Sequence, residues 1–114
     1  MSVEQYYNRG KKRIDSKDYY GAISDFNKAI RINPDYDLAY FYSAWAKYES
    51  QNYSGAIADY SKAIELNPDY VVAYINRGVT KKTLGDLKGA CADWRRAASL
   101  GNEYAAQWVR DQCN

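Results

Sequence analysis

An all-α array of stacked helical hairpins is the fold class this sequence predicts, and three observations predict it. The first is a repeat. Tyr53–Tyr70, YSGAIADYSKAIELNPDY, nearly copies Tyr19–Tyr36, YYGAISDFNKAIRINPDY, and a divergent third copy follows at Leu87–Tyr104. Laid out in register as 3–36 and 37–70, the first two units are identical at 14 of 34 positions. A period in this range marks one supersecondary unit stacked on itself. The second observation is a helical stripe in the second half of each unit. It reads Ala22, Ile23, Phe26, Ala29, Ile30, then Ala56, Ile57, Tyr60, Ala63, Ile64, then Ala90, Cys91, Trp94, Ala97, Ala98. That spacing lays one apolar face along a helix. The third is punctuation. Asn33-Pro34 and Asn67-Pro68 each end a helix, because proline cannot continue one and biases the residue before it away from helix.

In chain order, Ser2 opens the first helix, and Gln5 three residues on completes a capping box. This helix runs to about Asp15. Its basic residues Arg9, Lys11, Lys12 and Arg13 read either as a solvated end face or as a rim for an acidic ligand. Asp18, Asn52 and Asp86 stand where the second helix of each unit needs an N-cap. In the first helix of each unit an aromatic sits one turn from a very small residue: Tyr6 and Gly10, Tyr40 and Ala44, Tyr74 and Gly78. The small residue is where a neighbouring helix can approach. Asp25, Asp59 and Asp93 recur at one position. Counting levels within a hairpin places them beside Arg9, Ser43 and Arg77, so exposed ion pairs Arg9–Asp25 and Arg77–Asp93 are expected, with Asp59 lacking an arginine. The first helix of the middle unit, LAYFYSAWAKY from Leu38 to Tyr48, is apolar almost all round, which implies contact on several sides. In the third unit Gly101 suits a helix C′ position and Asn102 caps a last short helix, EYAAQWVRDQCN. Ala105, Trp108 and Val109 face inward by period, and Gln107, Arg110 and Asp111 face water. Trp108 is expected at the position of Tyr6, Tyr40 and Tyr74. This helix reads as a solubilising cap that completes the array.

These residues resemble the tetratricopeptide repeat (TPR) family, whose 34-residue pattern of aromatic, small residue, alanines and terminal proline they follow. The resemblance implies a right-handed α-hairpin solenoid of about seven helices. It forms a single domain over 1–114, with repeats 3–36, 37–70 and 71–104 and a capping helix 103–114. The departures are Arg9, Ser43 and Arg77 where the family has leucine, Arg13, Lys47 and Lys81 where it has tyrosine, and Asn102 in place of the last proline. The resemblance also implies a concave groove lined by one flank of each first helix. Carried over, its peptide-binding positions are Tyr7 and Lys11, then Phe41, Tyr42, Trp45 and Tyr48, then Ile75, Val79 and Lys82. The two lysines would favour a ligand with an acidic flank. Some family members grip a C-terminal carboxylate through Lys, Asn and Arg side chains. The matching positions here hold Tyr7, Lys11, Tyr42, Val72 and Asn76, so that clamp is absent.

Composition narrows the chemistry. The chain has 114 residues, a net charge of +2 and no histidine. One domain of this size buries enough surface for a core. Without histidine there is no His-based acid–base catalysis and no His metal site. No glycine-rich phosphate loop occurs, and carboxylates are expected in turns or on polar faces. No enzyme activity, cofactor or metal is therefore expected. A charge this small argues against nucleic acid, and no apolar run or signal peptide points to membrane insertion. Thirteen tyrosines exceed what a core needs, so some rings are expected on a binding surface. Cys91 and Cys113 read as reduced thiols in a cytoplasmic protein. Yet antiparallel counting pairs Trp94 with Trp108 and nearly pairs the cysteines, so a bridge stays open beside two independent thiols. The expected function is a non-catalytic protein-interaction module, an adaptor or assembly factor that takes a partner's peptide segment in the aromatic groove. A homo-oligomeric scaffold, associating through the groove or the first helix, is the alternative.

Overall fold

The ends of each helix follow directly from the caps. The computed structural model describes residues 1–114 and contains seven helices and no strand: α1 (Val3–Asp15), α2 (Tyr19–Ile32), α3 (Asp37–Glu49), α4 (Tyr53–Leu66), α5 (Val71–Thr83), α6 (Leu87–Ser99) and α7 (Glu103–Gln112). Ser2 and Gln5 form the capping box of α1. The side chains of Asp18, Asn52 and Asp86 accept from the backbone N–H of Gly21, Gly55 and Gly89. Asn102 does the same for Ala105 at 2.8 Å. Each cap satisfies a donor that the helix itself leaves unpaired.

The turns inside the hairpins hold a detail the repeat pattern hides. Lys17, Gln51 and Gly85 occupy the same place, and all three have positive φ: 63°, 68° and 86°. Only the third turn uses the residue that adopts this conformation without steric cost.

Each helix packs chiefly on the helices before and after it, as in any solenoid. The body measures 48 × 25 × 19 Å. Three core clusters sit in a row, centred on Phe26, Tyr60 and Trp94. The three rings lie against Gly10, Ala44 and Gly78 of the preceding helix. A Cβ on Gly10 would stand 2.7 Å from Phe26 Cε1, and one on Gly78 2.5 Å from Trp94 Nε1. These are sub-contact distances, so the two glycines let each hairpin close.

The same sixteen-residue offset sets the polar pairs. Arg9 donates two hydrogen bonds to Asp25 at 2.9 and 2.8 Å. Arg77 does so to Asp93 at 2.9 and 2.6 Å. Asp59 receives Ser43 Oγ and Lys47 Nζ, both at 2.8 Å. The expectation of exposed pairs, with carboxylates on polar faces, is corrected. Asp25 is 0% exposed and Asp93 is also buried. The reason is a second cation one turn along, Arg13 for Asp25 and Lys81 for Asp93, at 2.9 and 3.1 Å. The family's leucine and tyrosine positions have been exchanged together for two cations that clamp one carboxylate. Burial by itself would raise the Asp25 pKa. The Arg9 hydrogen bond and the charges of Arg13, Arg9 and Lys28 outweigh it and hold the carboxyl below 3.8.

Cys91 and Cys113 form a disulfide, so the reading as two independent thiols is corrected. The bridge also removes the thiol argument for a cytoplasmic setting. No helix is long and apolar enough to cross a membrane. The bridge ties α6 to the end of α7, beside the edge-on Trp94–Trp108 pair at 5.4 Å. A second correction concerns register. Without the Asn-Pro-Asp turn, α7 starts from Asn102, two residues earlier than the 34-residue period requires. Ala39, Ala73 and Ala105 are each the third residue of their helix, and each is fully buried. Trp108 therefore stands at the level of Tyr42 and Asn76, not at that of Tyr6, Tyr40 and Tyr74.

Two outcomes test this packing. Cys113→Ser, or reduction of the wild type, should lower unfolding free energy by about 3 kcal/mol for a loop of this length, and a thiol assay on folded, unreduced protein should find no free group. Asp25→Asn should cost about 2 kcal/mol near neutral pH, a value discounted because both arginines reach solvent. A carboxyl whose folded pKa is depressed contributes in full above its unfolded value and loses that contribution as pH falls through the folded one. The gap between wild-type and Asp25→Asn melting curves should accordingly shrink only below about pH 4.

Candidate functional site

The first helix of each hairpin, α1, α3 and α5, contributes one flank to a shared concave face. Burial divides the nine expected groove residues into a floor, a lip and an outer rim. Tyr7 and Phe41 form the floor. They are 8% and 4% exposed, so they back the face from below instead of standing out from it. The cause is a tyrosine from the next turn lying over each ring. Tyr36 packs on Tyr7 at 4.9 Å, and Tyr70 stacks on Phe41 at 5.1 Å. Tyr42 is half-buried between Tyr7 and Phe26. In the third unit the covering tyrosine is lost. Tyr104 is 76% exposed because the early start of α7 carries it into the helix.

Trp45 and Tyr48 are the lip. Trp45 is 40% exposed and stacks on Tyr42 at 6.0 Å, with Phe41 edge-on at 6.3 Å. Its outer face is open on both sides. Between α3 and α5 lies a hollow of about 360 Å³ lined by Trp45, Tyr48, Glu49, Tyr60, Val72 and Val79, with Asn76 at its back. Between α1 and α3 a smaller hollow of about 230 Å³ is lined by Lys11, Ile14, Asp15, Tyr42 and Trp45. One indole therefore forms the ridge between two depressions. Tyr48 is held edge-on to Tyr53 at 5.4 Å, with its hydroxyl 3.5 Å from Thr83 Oγ1.

The lysines are placed differently from each other. Lys11 Nζ stands 5.3 Å from the Tyr7 ring centroid and 5.2 Å from that of Tyr42, within cation–π range. Lys82 Nζ donates to Gln112 Oε1 at 2.6 Å, which fastens the rim to α7. Of the rest of the basic first helix, Arg9 and Arg13 are committed to Asp25, and only Lys12 points freely to solvent.

The buried tyrosines Tyr7 and Tyr60 carry no charge near neutral pH. Burial, then the neighbouring Tyr42, Tyr36 and Asp37, push the Tyr7 hydroxyl up to about 12. Burial likewise raises Tyr60, opposed by the polar side chain of Asn76 beside it. Sequence reasoning omitted Glu49 and Tyr60 from the site, whereas Val72 and Asn76 stand at positions that the family resemblance places in the groove. For Tyr60 the signal was present, since a stripe residue in mid-helix shows its edge where the facing helix offers a smaller residue such as Asn76. No cluster of His, Cys, Asp or Glu could hold a metal ion.

Two family models match. One, described as TPR repeat, covers residues 45–85, and another, described as tetratricopeptide repeat, covers residues 4–36. The chain belongs to the tetratricopeptide repeat family. Among solved structures it is similar to the Arabidopsis OM64 TPR domain, with 26% identity, a TM-score of 0.90, and coverage of 97% of this chain and 93% of that one. It is similar to the first TPR of Spaghetti (RPAP3) bound to the HSP90 peptide SRMEEVD, with 25% identity, a TM-score of 0.89, and coverage of 96% and 89%. The second TPR of that protein, bound to the same peptide, is 26% identical with a TM-score of 0.84 over 88% of this TPR chain and 93% of the other. No curated protein matches the chain.

The division into floor and lip has a direct consequence in this TPR array. Phe41→Ala should lower unfolding free energy by about 3–4 kcal/mol, as for a buried aromatic. Trp45→Ala should cost only about 1 kcal/mol, because much of its surface already faces water. Equal losses in urea titrations of the two variants would contradict the assignment.

Proposed function

We propose that the chain is a non-catalytic protein-interaction module that binds a segment of a partner protein along the concave face of α1, α3 and α5. The observation that carries this reading is Trp45, a large ring held rigidly by Tyr42 and Phe41 and left open between two hollows. Tryptophan and tyrosine in such settings dominate interface energetics. A ring already fixed by its neighbours loses little entropy on binding. The contacts run through Trp45, Tyr48 and Val79, with Tyr42 and Lys11 at the second hollow. Tyr7 and Phe41 support them from below. Peptide-bound relatives of this fold favour the same class of function.

The HSP90 peptide of those relatives is not the expected ligand here. Val72 and Asn76 stand in the third unit where a carboxylate clamp needs cations, and Tyr42 stands where it needs an asparagine. The acidic flank inferred from Lys11 and Lys82 loses support as well. Lys82 is engaged by Gln112, and Lys11 lies flat against two rings. The module serves as an adaptor or assembly factor, with its own α7 closing one end.

Affinity capture from a native lysate should recover a partner that is lost from a Trp45→Ala/Tyr48→Ala double variant, while that variant keeps a wild-type helical circular dichroism spectrum. Retention of the partner by the double variant would place binding elsewhere. Sedimentation velocity over a range of concentrations checks the competing reading. A dimer that disappears with Trp45→Ala would make a second copy of the chain the occupant of the groove.

A further inference from the structure

We infer that the groove is built for a basic segment: a large apolar side chain seated beside Trp45 and Tyr48, with a lysine or arginine next to it facing Glu49. This rests on the groove being the binding surface, and it adds the sign of the charge that the partner must bring.

The distribution of ion pairs points this way. The pairs within the chain occupy Asp18, Asp25, Asp59, Glu65, Asp69 and Asp93. Glu49 and Asp15 are in none of them, and these are the two carboxylates that line the hollows on either side of Trp45. Glu49 is the only charged residue in the lining of the larger hollow. In the smaller one, Asp15 is matched by Lys11 alone. Lys11 is drawn toward the faces of Tyr7 and Tyr42 and makes no ion pair with Asp15. The chain as a whole is +2, so the hollow runs against the sign of the molecule that contains it. Two more carboxylates, Glu4 and Asp37, lie near Tyr36. After burial, the charges of Glu4 and Asp37 are what raise the Tyr36 hydroxyl.

Two cations lie on this face, Lys11 against the tyrosine rings and Lys82 on the rim beside the neutral Gln112, and five others nearby are held elsewhere. Arg9, Arg13, Arg77 and Lys81 are bound to the buried Asp25 and Asp93, and Lys47 to the half-buried Asp59. What remains is an unpaired carboxylate beside two aromatic walls. A lysine or arginine side chain suits such a place on both counts. Its apolar stem covers the rings, and its cationic head meets the carboxylate and the electron-rich ring faces. An acidic residue there would meet Glu49 with like charge, a penalty that specific interfaces use to reject wrong partners.

The probe is a random-peptide phage library panned on the wild-type protein and counter-selected on Trp45→Ala. The clones that need Trp45 should carry lysine or arginine adjacent to an aromatic or large aliphatic residue. Synthetic peptides of those clones should bind Glu49→Lys about tenfold more weakly than wild type, and should weaken as salt is raised. Melting of Glu49→Lys should match the wild type, since Glu49 supports no internal pair. If the Trp45-dependent clones carry acidic or uncharged flanks, or if Glu49→Lys leaves their affinity unchanged, the charge inference is wrong and the groove reading survives. If no clone depends on Trp45, both fail.

Discussion

The close approach of two helices over a single ring is the constraint on which the rest of the structure depends. Phe26, Tyr60 and Trp94 each press on a residue with little or no side chain in the helix before: Gly10, Ala44 and Gly78. That contact fixes the depth at which the hairpin closes. The level it sets is then shared by the residue pairs on either side. The buried aspartates meet their cations one residue away from it. On the concave side, Tyr42 and Trp108 meet Phe26 and Trp94. The hollow beside Trp45 exists because neighbouring hairpins are held at this spacing while the facing residues of α5, Val72, Asn76 and Val79, are too small to fill it.

The buried charges follow from the same closeness. A leucine at position 9 or 77 would satisfy the core without further help. An arginine there needs a carboxylate, and a buried carboxylate needs more than one donor. Asp25 and Asp93 have two cations each, and Asp59 has a lysine and a serine. Arg77 also reaches Ser61 of the preceding hairpin at 3.1 Å, which links the second unit to the third. Such pairs hold register more than they add stability. They also withdraw five cations from the surface and leave the concave face with unpaired carboxylates.

Much of this was legible in the sequence because it is periodic. The caps at Asp18, Asn52 and Asp86, the partners of Asp25 and Asp93, and the prominence of Trp45 all recur or stand out at a fixed offset. What was not legible depends on where the period breaks or on one step of helical rotation. Tyr7 and Phe41 sit one residue from Tyr6 and Tyr40, so a face count could not tell floor from lip. The decisive rings, Tyr36 and Tyr70, come from turns, which a stripe argument does not see. The start of α7 after Asn102 was legible, but losing Asn-Pro-Asp shortens the turn before it, and an offset of 34 carried past that point placed Trp108 two residues out of step. The cysteines were brought near each other by level counting, but proximity in a count does not decide oxidation.

The middle hairpin closes Tyr60 on Ala44, but the first and third close a ring on a bare helix backbone, so at Gly10 and Gly78 a methyl group must be harmful. Equilibrium unfolding of Gly78→Ala in guanidinium measures this directly. Helix propensity by itself favours the alanine by about 1 kcal/mol. The account predicts the opposite sign: Trp94 cannot yield, because it is buried and its Nε1 donates to the Ile75 carbonyl, so the variant should lose about 1–2 kcal/mol to overpacking. A Gly78→Ala protein more stable than the wild type would contradict it.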